Sequence, residues 1–213
     1  MAETHRTYIP AAGHDWLLPL YDPIQKWLLG GFAYRALVEQ ARLQAGQRVL
    51  EIGCGTGNVL VLIKQVCPQV DAVGLDPDPK ALDRARRKTV RARLAVQLDR
   101  GFADALPYAD ESFDHVFSSF MFHHLTLDVK RGALREAHRV LKPGGSLQLL
   151  DFGGAHVPAN GWFARFVHGA DLIRDNTGDR IPTLMCEAGF TAAAELAHRP
   201  TLFGHIAYFR AER

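Results

Sequence analysis

The sequence predicts a single-domain α/β fold, in which helices cover both faces of a doubly wound, mostly parallel sheet. Between Arg48 and Leu149, short apolar runs alternate with helical segments, which is the pattern of parallel strands joined by right-handed crossovers. The first apolar run ends at Gly53, Gly55 and Gly57, where a buried strand is expected to turn into a helix. With 213 residues, 47% of them hydrophobic, the chain can bury one sizeable core.

Two regions are expected along the chain, a helical arm over residues 1–45 and the main domain over residues 46–213. Gly30 and Gly31 interrupt the arm, so roughly its first 30 residues are expected to act as a lid. Apolar runs predict strands near residues 47–52, 70–75, 94–99, 113–118, 145–151, 191–197 and 202–210. Apolar periodicity and capping signals predict helices over about 32–43, from 58 onward, and over about 80–93, 129–141, 160–175 and 181–188.

Composition and charge weigh against several classes of function. The formal net charge of +2 is too small for a nucleic-acid footprint, and the basic run from Lys80 to Arg93 is interpreted as a solvated helix face. Cys54, Cys67 and Cys186 are far apart and lack metal-ligand spacing, so neither a disulfide framework nor a metal site is expected. Without a secretion signal or a membrane-spanning apolar run, the protein is expected to be soluble and cytoplasmic.

The glycine turn carries the first chemical signal. Its spacing is G-x-G-x-G, with Asn58 where the dinucleotide fingerprint has its third glycine, and this departure disfavours a nicotinamide or flavin cofactor. Glu51, two residues before the first glycine, would lie too close to a pyrophosphate but could accept hydrogen bonds from an ammonium group. The amino end of the following helix suits a carboxylate. The turn therefore indicates a ligand with both an amine and a carboxylate.

Two aspartates that follow the next apolar runs indicate further groups of this ligand. Asp76 ends the second run roughly 20 residues after the glycines, which is the spacing at which an acidic side chain can hold ribose hydroxyls. Asp104 follows the third run, where it could accept a hydrogen bond from an exocyclic adenine amine.

Five segments of the chain, in order, resemble the class I S-adenosylmethionine-dependent methyltransferases that act on small molecules, in particular the ubiquinone and menaquinone C-methyltransferases. The segments are the glycine turn, Gly74 to Asp76, Asp104 to Tyr108, Ser112 to Val116 and Glu136 to Gly145. The resemblance implies a Rossmann-like sheet of seven strands with an antiparallel C-terminal hairpin, and methyl transfer from S-adenosylmethionine. The implied cofactor contacts are Glu51, Gly53, Cys54, Gly55, Gly57, Asp76, Pro77, Asp104, Ala105 and Ser118.

Methyl transfer by in-line displacement needs an aligned acceptor and, for some acceptors, a base. His123 and His124 follow the fourth predicted strand, where a general-base role and a structural capping role are both open. Related chains bring a tyrosine to the sulfonium, which implies Tyr21 here, although a packing role for this aromatic ring is equally open. The candidates for contact with the acceptor are Asp151, His156, Phe163 and Asp171.

The leading functional hypothesis is transfer of a methyl group to a small, partly apolar acceptor. Quinone, phospholipid and thiol or arsenite acceptors stay open, as does the atom that is methylated. The alternative from a different class is a module or partner subunit that binds S-adenosylmethionine or its product without catalysis. The sequence indicates no oligomeric state and no nucleic-acid partner.

Overall fold

The computed structural model of the protein describes residues 32–154, 176, 178–201 and 204–213. The predicted contacts Tyr21, His156, Phe163 and Asp171 lie outside the described residues, as does the predicted helix over 160–175. These expectations therefore stay predictions.

Seven strands form one mixed sheet within the described residues, in the order β3-β2-β1-β4-β5-β7-β6. The first five run parallel, and β7 pairs antiparallel with both β5 and β6. The sheet confirms the predicted doubly wound fold with its antiparallel hairpin. The strands are β1 (Arg48–Ile52), β2 (Asp71–Asp76), β3 (Gln97–Arg100), β4 (Phe113–Ser119), β5 (Leu141–Phe152), β6 (Thr191–Thr201) and β7 (Gly204–Glu212).

Helices flank both faces of this sheet. In α3, Asp78 caps the amino end by accepting a hydrogen bond from the amide of Lys80, with Pro79 at the first helical position. A short 3₁₀ helix, Phe122–His124, follows β4. The α-helices of the described residues are α1 (Phe32–Gln40), α2 (Asn58–Val66), α3 (Pro79–Arg91), α4 (Leu127–Val140) and α5 (Arg180–Glu187).

The junction between α4 and β5 differs from the sequence expectation. The segment Lys142 to Gly145 was expected to separate the helix from the strand, but β5 begins at Leu141, directly after the helix. The strand begins early because Leu141 pairs with Phe113 of β4. The residues that follow pair with the chain end, since the amide of Gly144 donates to the Arg213 carbonyl and the Arg213 amide donates to the Gly145 carbonyl, at 3.1 and 3.0 Å. A register shift between the β4 pairs at Phe113 and His115 accommodates the extra residues.

The core has two layers, one on each face of the sheet. On one face, α4 and α5 bury residues such as Leu134 and Met185. On the other face, α1 and α2 bury residues such as Leu37 and Ile63. Because α1 contributes to the core, the described part of the predicted arm packs with the main domain.

The outer face of α3 is basic and solvated, as expected. Arg86, Arg87 and Arg91 are exposed, whereas Ala81 and Ala85 are buried against the sheet. None of the helices in the described ranges has the length and apolar character needed to cross a bilayer.

Replacing Leu37 with alanine should test whether α1 belongs to the core. Its side chain is fully buried, so the free energy of unfolding should fall by about 3 kcal/mol in denaturant titrations. Leu196→Ala is the matched control, because that leucine is 51% exposed and should cost under about 1 kcal/mol. Equal, small losses in both variants would mean that α1 detaches from the domain.

Candidate active site

The glycine turn joins β1 to α2 and lies against the end of β2. The amides of Gly53 and Cys54 both donate hydrogen bonds to the carbonyl oxygen of Leu75, at 2.8 and 3.0 Å. Gly53 and Gly57 have φ angles of +71° and +78°, and a Cβ on Gly53 would also collide with Met121. These two positions therefore require glycine, and the main chain of the turn forms the floor of the site.

A pocket opens above this turn, at the carboxyl ends of β1, β2 and β4, where ligands bind in such sheets. Five of the predicted cofactor contacts line it, namely Glu51, Gly53, Cys54, Gly55 and Asp76. His124, one of the two candidate general bases, also lines this pocket. The sequence analysis missed other lining residues, namely Tyr34, Thr56, Asn58, Val59, Ser119, Phe120 and Met121.

The Glu51 carboxylate is buried at the back of the pocket, with 1% of the residue exposed. Its Oε1 atom accepts a hydrogen bond from the Ser119 hydroxyl at 3.0 Å, whereas Oε2 has no hydrogen-bond partner among the described residues. Burial, with a smaller contribution from the charge of Asp76, raises the pKa of Glu51 to about 8. A buried carboxylate with an open oxygen fits an ammonium group of a ligand.

Asp76 holds the turn from the side of β2. Its two carboxylate oxygens accept hydrogen bonds from the amides of Gly55 and Asp78, at 2.8 and 2.9 Å. Each oxygen has a second lone pair, so the carboxylate fits two ribose hydroxyls as further donors. Burial raises the pKa of Asp76 to about 6, against the lowering effect of the two amides. Burial, together with Glu51 and Asp76, also raises the pKa of the Cys54 thiol, which makes it a neutral wall group.

The other predicted cofactor contacts do not line this pocket. Ser118 is buried, and its hydroxyl has no hydrogen-bond partner in the described part of the chain, whereas its neighbour Ser119 contacts Glu51. Successive strand residues point to opposite faces, and one residue of register decides which serine faces the pocket. Pro77, Asp104 and Ala105 lie further along the same edge and stay predicted contacts. The signal for Ser119 was its position at the last residue of β4.

His123 and Asp151 form a buried pair behind the pocket. The ring Nδ1 of His123 lies 2.5 Å from Oδ1 of Asp151, and the backbone amide of His123 donates to Oδ2 at 3.1 Å. The amide of Phe152 also donates to Oδ1, at 2.7 Å. Burial raises the pKa of Asp151, but the adjacent His123 and the Phe152 amide lower it by more, so its pKa lies below the ordinary value.

This pairing changes the role expected for Asp151. The sequence suggested contact with the acceptor, but Asp151 has no exposed surface and engages His123 and Phe152 with its oxygens. A carboxylate in this position fixes the orientation of the histidine ring. The sequence offered no signal for the pair, because 28 residues separate its members.

His124 reaches the pocket, whereas His123 is only 2% exposed. The two rings lie side by side, with centroids 4.0 Å apart, and the His123 ring packs edge-on against Phe152. In the described structure His124 therefore faces the pocket, whereas His123 lies behind it and is oriented by the Asp151 carboxylate.

The matches to known proteins agree with this site. A methyltransferase domain family matches residues 49–145. The chain is 36% identical over 182 residues to a demethylmenaquinone methyltransferase of Listeria monocytogenes, covering 74% of this chain and 75% of the relative. It is 39% identical over 150 residues to a demethylmenaquinone methyltransferase of Deinococcus radiodurans, covering 69% of this chain. The match spans 60% of the length of that Deinococcus relative.

A solved structure shows the same fold. The crystal structure of an S-adenosylmethionine-dependent methyltransferase from Aquifex aeolicus superposes with a TM-score of 0.71 at 20% identity, covering 92% of this chain and 96% of that one. Fold, site and sequence similarity define an S-adenosylmethionine-binding enzyme domain. The chain belongs to the class I S-adenosylmethionine-dependent methyltransferases, with demethylmenaquinone methyltransferases among its relatives.

Product affinity should rise with pH because of Glu51. A carboxyl group with a pKa near 8 is mostly protonated at pH 6, and an ammonium ligand favours its ionised form. Binding of S-adenosylhomocysteine should therefore tighten by about tenfold between pH 6 and pH 7.5, with release of a proton, when measured by calorimetry in several buffers.

Glu51→Gln should weaken binding at pH 7.5 and remove most of this pH dependence. Glu39→Gln is the control, because Glu39 pairs with Arg35 on the exposed surface of α1. An affinity that is flat with pH in the unmodified protein would contradict the role of Glu51.

Proposed function

We propose that the protein transfers a methyl group from S-adenosylmethionine to a reduced quinone or a similar small, partly apolar aromatic alcohol, in the cytoplasm. The observation that carries the proposal is the buried Glu51 carboxylate, whose open oxygen lies beside the glycine turn in a pocket that His124 also lines. Relatives that bear the name demethylmenaquinone methyltransferase support a quinol as the acceptor.

The residues of the pocket fit the amino-acid and ribose portions of S-adenosylmethionine, and the predicted contacts outside the pocket would reach its adenine. Glu51 would receive the ammonium group, and the amino end of α2 would receive the carboxylate of the same amino-acid portion. Asp76 would hold the ribose hydroxyls, and Asp104 with Ala105 would contact the adenine. When bound, the cofactor supplies a methyl group that its sulfonium has already activated.

The acceptor side of the pocket is aromatic. Tyr34 and Phe120 pack edge to face with ring centroids 5.8 Å apart, and Phe120 contacts Phe152 at 5.1 Å. Such a wall suits a flat aromatic ring, and the exclusion of water strengthens polar contacts made within it. Because the donor needs no activation, the protein contributes mainly by aligning the acceptor carbon with the methyl group.

His124 would accept the hydroxyl proton of the quinol as the ring carbon becomes nucleophilic. The new bond would join the methyl group to that carbon as the bond between the methyl group and the sulfonium sulfur breaks, and S-adenosylhomocysteine would leave. The ring carbon would then lose its own proton to solvent, and His124 would return the hydroxyl proton to the quinol oxygen. The Asp151 carboxylate holds the His123 ring through Nδ1. His123 would in turn position the adjacent ring of His124. Tyr21, His156, Phe163 and Asp171 stay predicted contacts on the acceptor side, and roughly the first 30 residues stay the predicted lid.

The proposal is tested by incubating the protein with S-adenosylmethionine and candidate acceptors under reducing conditions. A demethylated naphthoquinol with a short prenyl tail should yield S-adenosylhomocysteine and a product heavier by one methylene, detected by mass spectrometry. A thiol, an amine and a simple phenol serve as comparison acceptors. Tight binding of S-adenosylhomocysteine with turnover of none of these acceptors would favour the non-catalytic binding module instead.

A further prediction concerns the role of His124 as a general base. His124→Gln should lower kcat by about a hundredfold and leave the affinity for S-adenosylhomocysteine nearly unchanged, because proton transfer typically contributes that much. The variant should also lose the rise of kcat with pH that a general base produces. His198→Gln, a change on the exposed surface of β6, is the control.

Asp151→Asn should lower kcat by about tenfold, since the amide no longer favours the same orientation of His123. If both His124→Gln and Asp151→Asn keep near-normal turnover, the enzyme works by alignment alone and the base role is wrong.

A further inference from the structure

One face of α4 supports the loop that carries Asp104. A Cβ built on Gly132 would lie 2.9 Å from the Cβ of Asp104, so the helix backbone and this aspartate are in direct contact. One turn further along, the Glu136 carboxylate accepts a hydrogen bond from the Leu106 amide at 2.8 Å. Gly132 and Glu136 are four residues apart and therefore share a face of the helix.

Arg139 completes this face. Its guanidinium donates to the carbonyl oxygens of Leu106 and Tyr108, at 3.1 and 2.8 Å. It also forms a two-pronged ion pair with Glu136, at 2.8 Å for both contacts, and reaches Asp110 at 2.7 Å. The planar guanidinium fits this set of carbonyl and carboxylate acceptors, which a lysine cannot reproduce.

The ion pair stays charged throughout the neutral pH range. The hydrogen bond from Arg139 is the main cause that lowers the pKa of Glu136, and the same pair raises the pKa of Arg139. The side chains of Arg139 and Glu136 are partly exposed, at 31% and 21%, so the ion pair adds little to the stability of the fold. Its main effect is to fix the positions of the groups that it contacts.

The other side of the same loop is joined to the cofactor pocket. The Gly101 amide donates to the carbonyl oxygen of Asp76 at 3.2 Å, next to the predicted ribose site. The Tyr108 hydroxyl donates to Asp99 at 3.0 Å, at the end of β3. The loop from Gly101 to Asp110 therefore spans from β2 and β3 to α4, with Asp104 between the two anchors.

We propose that Gly132, Glu136 and Arg139 are positioning residues that hold Asp104 at the purine of the cofactor and thereby set the selectivity of the site for an amino-substituted purine. The inference rests on the proposed function, since it takes Asp104 as the acceptor for the adenine amine. The absence of a side chain at Gly132 lets Asp104 approach α4, and the ion pair fixes the backbone that follows it.

Gly132→Ala separates positioning from stability. A helix interior favours alanine over glycine, and this offsets part of the cost of the close contact with Asp104, so the variant should stay folded, as a thermal melt would show. The new methyl group must nevertheless push Asp104 outward, because the contact is with its Cβ and not with the end of a flexible chain. Affinity for S-adenosylhomocysteine should fall by about fivefold, while kcat at saturating cofactor changes little and KM rises.

The selectivity readout uses S-inosylhomocysteine, in which an oxo group replaces the amine. The unmodified protein should prefer S-adenosylhomocysteine by at least about tenfold, because a carbonyl cannot donate to Asp104. The preference should fall below about threefold in Gly132→Ala and in Arg139→Gln, and Arg139→Lys should not restore it. Arg135→Gln, on the exposed side of the same helix, should keep the full preference.

The outcomes distinguish the two levels of proposal. If the unmodified protein binds neither compound, the proposed function fails. If it binds with the expected preference and the folded Gly132→Ala and Arg139→Gln variants keep both affinity and preference, then α4 is only a structural support and the inference is overturned.

Discussion

The burial of the Glu51 carboxylate constrains the rest of the site. An acidic group in this position destabilises the folded chain when it is ionised, and the Ser119 hydroxyl, the backbone at Leu60 and the charge of Lys88 compensate this only in part. Because its pKa rises from 4.5 to about 8 on folding, the free energy of unfolding falls as the pH rises through that interval. A ligand cation bound at this carboxylate would offset the loss of folding stability at higher pH. Ligand affinity and the free energy of unfolding therefore both depend on the ionisation of Glu51.

The parallel sheet explains why the other polar groups gather near Glu51. The carboxyl ends of β1, β2, β4 and β5 lie at one edge, so Asp76, Ser119 and Asp151 come together although long stretches of sequence separate them. The glycine turn adds main-chain groups to the same edge, and its left-handed positions fix the direction of α2. The strand order thus places the residues proposed to hold the cofactor, at β1 to β3, beside those proposed to face the acceptor, at β4 and β5.

The strands and the polar groups proposed to hold the cofactor could be located from sequence because their determinants are local. The glycines close the first apolar run, Glu51 lies two residues before the first glycine, and Asp76 ends the second run. The strands were predicted to within a few residues. Three features of the structure were not predictable in this way. The choice of Ser119 over Ser118 depends on one residue of strand register, and the early start of β5 depends on pairing with Phe113 and, further along, with Arg213. The contact of His123 with Asp151 depends on the tertiary fold alone.

The region proposed to face the acceptor is built from several elements of the fold. Its polar pair is fixed from behind, since the buried Asp151 holds His123 and leaves His124 to face the pocket. Its walls are side chains from elements far apart in sequence, such as Tyr34 on α1 and Phe152 on β5. A change of one such side chain would reshape the proposed acceptor surface, whereas the glycine turn is held by the main-chain hydrogen bonds of Gly53 and Cys54 to Leu75. In the proposed function the backbone of the glycine turn would hold the cofactor, and side chains from several elements would shape the surface for the acceptor.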